Sequence, residues 1–154
     1  MSQTTPQAPK KSYGKTNKNK GHNGERELAT LFRETTIFTK CCTTRSSSRL
    51  LDSCKIDLDF IPLNLQSKVG TQKGMSPVKE LKLMLEEMEK KLPKDHSRRN
   101  LPKLVVHKKP AKGKRTEFDN IVTMTLNDFM ILFSKAYPKE EHGQNTNLPG
   151  ETGA

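Results

Sequence analysis

Residues 55–69 hold two short runs of alternating apolar and polar residues separated by Pro62, and this feature limits the fold most strongly. Such alternation is typical of β-strands that are buried on one face, and proline favours a turn or an edge position. The sequence therefore predicts a tight hairpin over this segment. The apolar residues of its first strand, Ile56, Leu58 and Phe60, are expected to share one face.

The polar residues of the predicted hairpin suggest a site for a metal ion and a phosphate. Asp57 and Asp59 lie on the first strand, and Gln66 and Lys68 follow on the second. Carboxylate oxygens suit hard cations such as Mg²⁺, and an amide offers a neutral carbonyl oxygen. An ammonium can stabilise negative charge that develops on a phosphate. The same residues also occur by chance in basic hairpins, so both interpretations stay open on this pattern alone.

Predicted helices and strands alternate along the rest of the chain. Helices are expected to begin at Asn23, at Pro77 after the capping residue Ser76, and at Asn127. The other strands are expected over residues 36–44, 104–106 and 118–126, and a loop over 45–53. This order predicts an α/β fold in which a mixed sheet is flanked by helices.

The two later helices each show an apolar stripe that we expect to face the core. On the helix from Pro77 the stripe comprises Val78, Leu81, Leu85, Met88 and Leu92. On the last helix the residues expected to be buried are Phe129, Ile131, Leu132 and Phe133.

The apolar content of the chain is low, which limits the size of the core. Only 31% of the 154 residues are hydrophobic, against roughly 45–50% in a typical domain counted with glycine. We therefore expect one domain over residues 21–137, a flexible basic arm over 1–20 and a disordered tail over 138–154. A small core also suggests that a partner subunit contributes to stability.

The charge of the chain indicates a polyanionic partner. The formal net charge is +11 and the pI is about 9.7, and small basic proteins most often bind nucleic acid. The alternative is that the charge serves solubility alone. The three cysteines have no metal-binding spacing, which favours free thiols in an intracellular compartment. Neither a signal peptide nor a membrane span is expected.

A glutamate on the first predicted helix adds to the candidate site. Glu25 lies three residues before Leu28 and seven before Phe32, so it points toward the buried side of the helix. A buried carboxylate needs a partner such as a metal or an arginine. The simpler alternative is that Glu25 only favours the helix N-terminus through the helix dipole.

Four segments, KGHNGERELATLF, TTRSSS, IDLD and LQSK, resemble motifs of the archaeal-type Holliday junction resolvases, a family of the PD-(D/E)xK nuclease superfamily. The resemblance implies a restriction-endonuclease-like fold, with a mixed central sheet flanked by helices. It also implies a homodimer that binds four-way DNA junctions and cuts two opposed strands with Mg²⁺, or with Mn²⁺ in its place. The protein would then be cytoplasmic or nucleoid-associated, and a phage or mobile element would suit its compact size.

The resemblance also assigns roles to single residues. The catalytic residues it implies are Glu25, Asp57, Gln66 and Lys68, of which the first three would hold the metal. The residues predicted to bind DNA are Lys20, Arg26, Arg45, Ser46, Arg49, Lys108 and Lys109. Arg45 and Ser46 correspond to an R-S loop of the family.

The sequence departs from the family pattern at the centre of the site. Gln66 replaces a glutamate and removes one negative charge, while Asp59 could take over part of the metal binding. The alternatives are therefore a catalytically weak or silent DNA-binding protein of the same fold, or another PD-(D/E)xK endonuclease that acts in restriction or repair.

Overall fold

A computed structural model describes residues 13–70, 76–108 and 120–138, with the backbone alone for residues 13–17. The helices are α1 (Tyr13–Thr35), α2 (Thr44–Ser47), α3 (Arg49–Ser53), α4 (Pro77–Lys91) and α5 (Leu126–Ala136), with a 3₁₀ turn over Ser97–Asn100. The strands are β1 (Cys42–Thr43), β2 (Leu58–Asp59), β3 (Asn64–Val69), β4 (Lys103–Lys108) and β5 (Asn120–Met124).

The strands form a mixed sheet with a small antiparallel pair beside it. β3 pairs in parallel with β4, and β4 pairs antiparallel with β5. A parallel pair needs a long crossover connection, and α4 lies in that connection between β3 and β4. β1 pairs antiparallel with β2 through Cys42 and Asp59. The predicted α/β class with a mixed sheet and helices is therefore confirmed.

Two apolar clusters lie on different sides of this arrangement. One joins α1 to the strands and includes Leu28, Ala29, Leu58, Leu65 and Leu104. The other lies under α4 and includes Leu51, Cys54, Ile56, Met84 and Met88. Burying such side chains is the main force that holds the helices to the strands.

The structure corrects the prediction of a hairpin over residues 55–69, because β2 pairs with β1 whereas β3 pairs with β4. It also corrects the prediction that the apolar residues of the first strand share one face. Ile56 packs under α4 whereas Leu58 packs against α1, and Phe60 is 55% exposed. The regular strand is only two residues long, and Phe60 has a positive φ of 58°. The chain therefore turns before the alternation of faces can extend over three apolar residues. β3, by contrast, agrees closely with the second predicted strand.

Several predicted boundaries were wrong near the N-terminus. Asn23 lies inside α1 rather than at its start, and Tyr13–Lys20 of the expected flexible arm is helical. The predicted strand over 36–44 is reduced to β1, and the expected loop over 45–53 contains α2 and α3. Residues 1–12 of the expected arm lie outside the described part of the chain.

The later helices follow their predictions in part. Ser76 caps α4 by accepting the Lys79 N–H, and Pro77 is its first residue, as expected. Along α4 the buried residues are Leu81, Met84 and Met88. Val78 and Leu85, which were expected to face the core, are exposed.

The burial expected for α5 was wrong. Phe129 and Phe133 are each 46% exposed, and Ile131 and Leu132 are only partly buried. Most of the expected tail, beyond Pro138, lies outside the described residues.

Candidate functional site

Asp57 is fixed by its backbone between the start of α2 and β3. Its N–H donates to the Leu65 carbonyl at 2.8 Å, and its own carbonyl accepts the Thr44 N–H at 2.9 Å. One carboxylate oxygen, Oδ2, accepts the Ser67 N–H at 2.6 Å. These hydrogen bonds define how the Asp57 segment is aligned with β3, which the sequence does not give. They place the Asp57 carboxylate beside the backbone between Gln66 and Lys68.

The surroundings of Asp57 raise its pKa from 3.8 to about 7. Burial has the largest effect, because a charged carboxylate loses its hydration there. The hydrogen bond from Ser67 lowers the pKa, the Glu25 charge raises it, and the charges of Lys68 and Arg45 lower it. Four of the predicted site residues thus act on one another electrostatically.

Gln66 and Lys68 occupy the face of β3 that lies away from α1. Leu65 packs in the cluster with α1, and alternation along the strand sends its even-numbered neighbours to the opposite face. Gln66 is 2% exposed, and its Oε1 accepts no hydrogen bond within the described part of the chain. A buried acceptor left without a partner costs about 1–3 kcal/mol, so this oxygen is poised to take a ligand such as a cation or an ordered water.

Lys68 points toward α4 and is one-third exposed. Its Nζ lies 3.1 Å from Glu80 Oε2, on the first turns of that helix. Glu80 was not among the residues singled out from the sequence. The Ser76–Pro77 start of α4 gives its place on the helix, but sequence alone gives no signal that this helix turn lies over Lys68.

Glu25 is buried and has the arginine partner that its predicted position required. Arg45 donates from Nε to Oε2 at 3.0 Å and from Nη2 to Oε1 at 3.3 Å, and it also lies 3.8 Å from Asp52. This pairing raises the pKa of Arg45. Both oxygens of Glu25 are thereby engaged, while the Arg45 side chain stays 44% exposed.

Asp59 belongs to a separate network. Its carboxylate accepts from Arg98 and from the Ser47 hydroxyl. Arg98 is buried and also donates to the carbonyls of Ile61 and Leu63, so it ties the end of β2 to the turn before β3. Asp59 would therefore have to leave Arg98 before it could supplement the metal site, as the sequence suggested.

The residues predicted to bind DNA lie in different surroundings. Arg26 and Ser46 line one shallow pocket of about 320 Å³, close to Arg45. Lys108 instead pairs with Glu27 and is only 13% exposed. Of the others, Lys20 and Arg49 are exposed, and Lys109 lies outside the described residues. Arg45 is the member of the set that contacts Glu25 and whose charge acts on Asp57.

These side chains suit a hard divalent cation only if the Gln66 amide oxygen is one of its ligands. Within the described ranges no group of three His, Cys, Asp or Glu side chains could hold a metal ion. Asp57 and Gln66 nevertheless offer oxygen donors: the Asp57 carboxylate at the Ser67 N–H, and the Gln66 Oε1, which is buried with no hydrogen-bond partner among the described residues. Mg²⁺ keeps several waters and needs few protein oxygens, so this donor set suits it. Glu25 would have to leave Arg45 before it could bind the same ion.

The comparisons leave the family of this chain open. No protein-family model, no curated protein and no solved structure matches it. Among the described helices, none is long and apolar enough to cross a membrane.

Proposed function

We propose that this protein is a Mg²⁺-dependent, structure-selective DNA endonuclease that resolves four-way junctions. One observation carries the proposal: the Asp57 carboxylate accepts the N–H of Ser67, the residue between Gln66 and Lys68, and the charges of Glu25, Lys68 and Arg45 act on it. A carboxylate, an amide oxygen and an ammonium on these neighbouring segments suit metal-assisted hydrolysis of a phosphodiester. The mixed sheet with flanking helices is also compatible with a restriction-endonuclease-like fold.

Each residue of the site has a distinct part in this proposal. Asp57 and Gln66 would hold the Mg²⁺, for which Mn²⁺ could substitute. When bound, the metal supplies Lewis-acid catalysis and lowers the pKa of a water. Lys68 stabilises the charge that develops on the phosphate oxygens. Arg45, oriented by Glu25 and partly exposed, can contact a phosphate with its guanidinium.

The surface around the site supports DNA as the substrate. The chain carries a net charge of +11, and the exposed Arg26 and Arg49 belong to elements that flank the site. Paired cuts in opposed strands require two sites related by a two-fold axis, which a homodimer provides.

A silent DNA-binding protein is the second candidate, and Gln66 is the observation that favours it. A neutral amide gives the metal one negative charge less than a carboxylate would. An endonuclease with another DNA substrate would share the same site. Activity and substrate preference separate these possibilities.

The test uses the full chain with a labelled four-way junction and a duplex of the same sequence, each with and without Mg²⁺. We expect the junction alone to be cut, and only with the metal. Asp57→Asn and Lys68→Ala should each reduce the cutting rate by about 100-fold or more, while junction affinity changes little.

Asp95→Asn is the matched control, because Asp95 is exposed and makes no hydrogen bond within the described part of the chain. Undiminished cutting by Asp57→Asn would overturn the site. Tight junction binding by the wild-type protein without any cutting would favour the silent binding protein.

A further inference from the structure

Lys68 is the one positive group of the candidate site that lies beside the neutral Gln66. Its partner is Glu80, whose side chain is 20% exposed. A partly buried ion pair is less screened by water than a surface pair. The Lys68–Glu80 pair is therefore more than an ordinary surface contact.

The backbone of α4 holds Glu80 firmly in place. The Glu80 N–H donates to the Ser76 carbonyl at 3.1 Å, one turn after the capping serine. The next residue, Leu81, is buried, as are Met84 and Met88 further along the helix. Glu80 is thus presented to Lys68 from a rigid helix that also forms the crossover between β3 and β4.

The formal charges show what Glu80 adds. Arg45 is shared by Glu25 and Asp52, which leaves one negative charge on that side of the site. Beside Gln66, however, the Lys68 ammonium would by itself cancel the charge of the ionised Asp57 carboxylate. Glu80 contributes one negative charge next to Lys68, which a carboxylate in place of Gln66 would otherwise have supplied.

We propose that Glu80 is a positioning residue of this site, which orients the Lys68 ammonium and restores the negative charge that Gln66 lacks. This inference rests on the proposed function. The simpler alternative is an ion pair that only stabilises the fold, which would contribute about 0–1 kcal/mol and would leave metal binding unchanged.

The experiment combines Glu80→Gln with Gln66→Glu and with the double variant. Metal binding is measured directly by Mn²⁺ titration, followed through water proton relaxation, and cutting of the four-way junction is measured at increasing Mg²⁺. We expect Glu80→Gln to weaken Mn²⁺ binding about tenfold and to raise the Mg²⁺ concentration for half-maximal cutting by a similar factor.

The double variant tests compensation. If Glu80 supplies the missing charge, Gln66→Glu should raise Mn²⁺ affinity more in the Glu80→Gln protein than in the wild type. The same gain in both backgrounds would show that the two effects are independent and would overturn the inference. The control is Glu86→Gln on the exposed side of the same helix, which should leave metal binding within twofold of the wild type.

Thermal unfolding separates positioning from stability. We expect Glu80→Gln to unfold close to the wild-type temperature, and a loss of Mn²⁺ affinity that only tracks a loss of folded protein would overturn the role. A wild-type protein that binds Mn²⁺ without cutting would refute the nuclease but leave the Glu80 test intact. A wild-type protein that does neither would refute both.

Discussion

Asp57 illustrates how one carboxyl depends on the groups around it. Burial raises the pKa of this carboxyl, and the Ser67 N–H and the charges of Lys68 and Arg45 each lower it in part. The balance leaves its pKa at about 7, which is near the pH at which most intracellular enzymes work. Without a cation, this group therefore exchanges its proton close to neutral pH.

This shift predicts a pH dependence of stability. The pKa of Asp57 is raised on folding, from 3.8 to about 7, so the folded state binds more protons than the unfolded state between those values. The free energy of unfolding should then fall as pH rises through this window. In EDTA, Asp57→Asn removes that loss, and it should be more stable than the wild type at pH 8 by up to about 4 kcal/mol.

Urea unfolding at several pH values between about 4 and 8 measures the difference. Asp95→Asn should run parallel to the wild type and serves as the control. A constant difference between Asp57→Asn and the wild type across the window would contradict the raised pKa.

For single residues of the site, the sequence predicted the type of group better than the groups that it contacts. The helical position of Glu25 indicated a buried acid with an arginine or a metal, and the arginine proved to be Arg45. Glu80 and the Ser67 N–H could not be predicted. Their roles depend on which helix turn and which strand register meet Asp57 and Lys68, and these distances are set by tertiary packing.

At the scale of the elements, α1 and β3 approach each other closely at Gly24. A Cβ built at Gly24 would overlap with Val69 Cγ2 and would touch the Ser67 hydroxyl. The missing side chain therefore lets the helix lie directly on the strand that carries Gln66 and Lys68. Gly21, three residues earlier on the same helix, has open space around its Cα.

These two glycines give a matched pair for substitution. Gly24→Ala should destabilise the protein by about 1–3 kcal/mol, because the helix or Val69 must move. Gly21→Ala should instead stabilise it by roughly 0.5–1 kcal/mol, since alanine favours a helix interior. Thermal unfolding of both variants measures the contrast, and equal effects of the two would rule out the close approach.

The elements that sequence predicted well are those with enough length or a clear capping signal. α4 has its Ser76 cap and β3 has an alternation of apolar and polar residues that Ser67 interrupts once, whereas β1 and β2 are two residues each. Such short strands are held by tertiary hydrogen bonds rather than by a local pattern. The segment with α2 and α3 looked like a loop because its serines favour turns, yet Ser48 caps α3 by accepting the Leu51 N–H.

At the scale of the whole molecule, α5 has apolar surface that the described part of the chain leaves exposed. Phe129, Phe133 and Tyr137 are spaced four residues apart along the chain. The rings of Phe129 and Phe133 are stacked with centroids 5.8 Å apart, and those of Phe133 and Tyr137 are tilted with centroids 4.9 Å apart. All three are 46–69% exposed. A helix with this much apolar surface normally packs against a partner, and the proposed paired cutting calls for a second copy of the chain.

We therefore expect the protein to form a dimer in which α5 contributes to the interface. Phe133→Glu should shift it to a monomer, because a charge would be buried where two apolar faces meet. Light scattering after size-exclusion chromatography gives the mass. Ser134→Glu adds the same charge at the next position and should leave the dimer intact, whereas a monomeric wild type would exclude this arrangement.

The parallel pairing of β3 with β4 also has a consequence for synthesis of the chain. The strand that carries Gln66 and Lys68 obtains its hydrogen-bonded neighbour only when residues 103–108 have been made. A nascent chain that still ends within α4 therefore carries Asp57, Gln66 and Lys68 without the strand pair that fixes their positions. If the protein cuts DNA, cutting can begin only after β4 has been synthesised and has paired with β3.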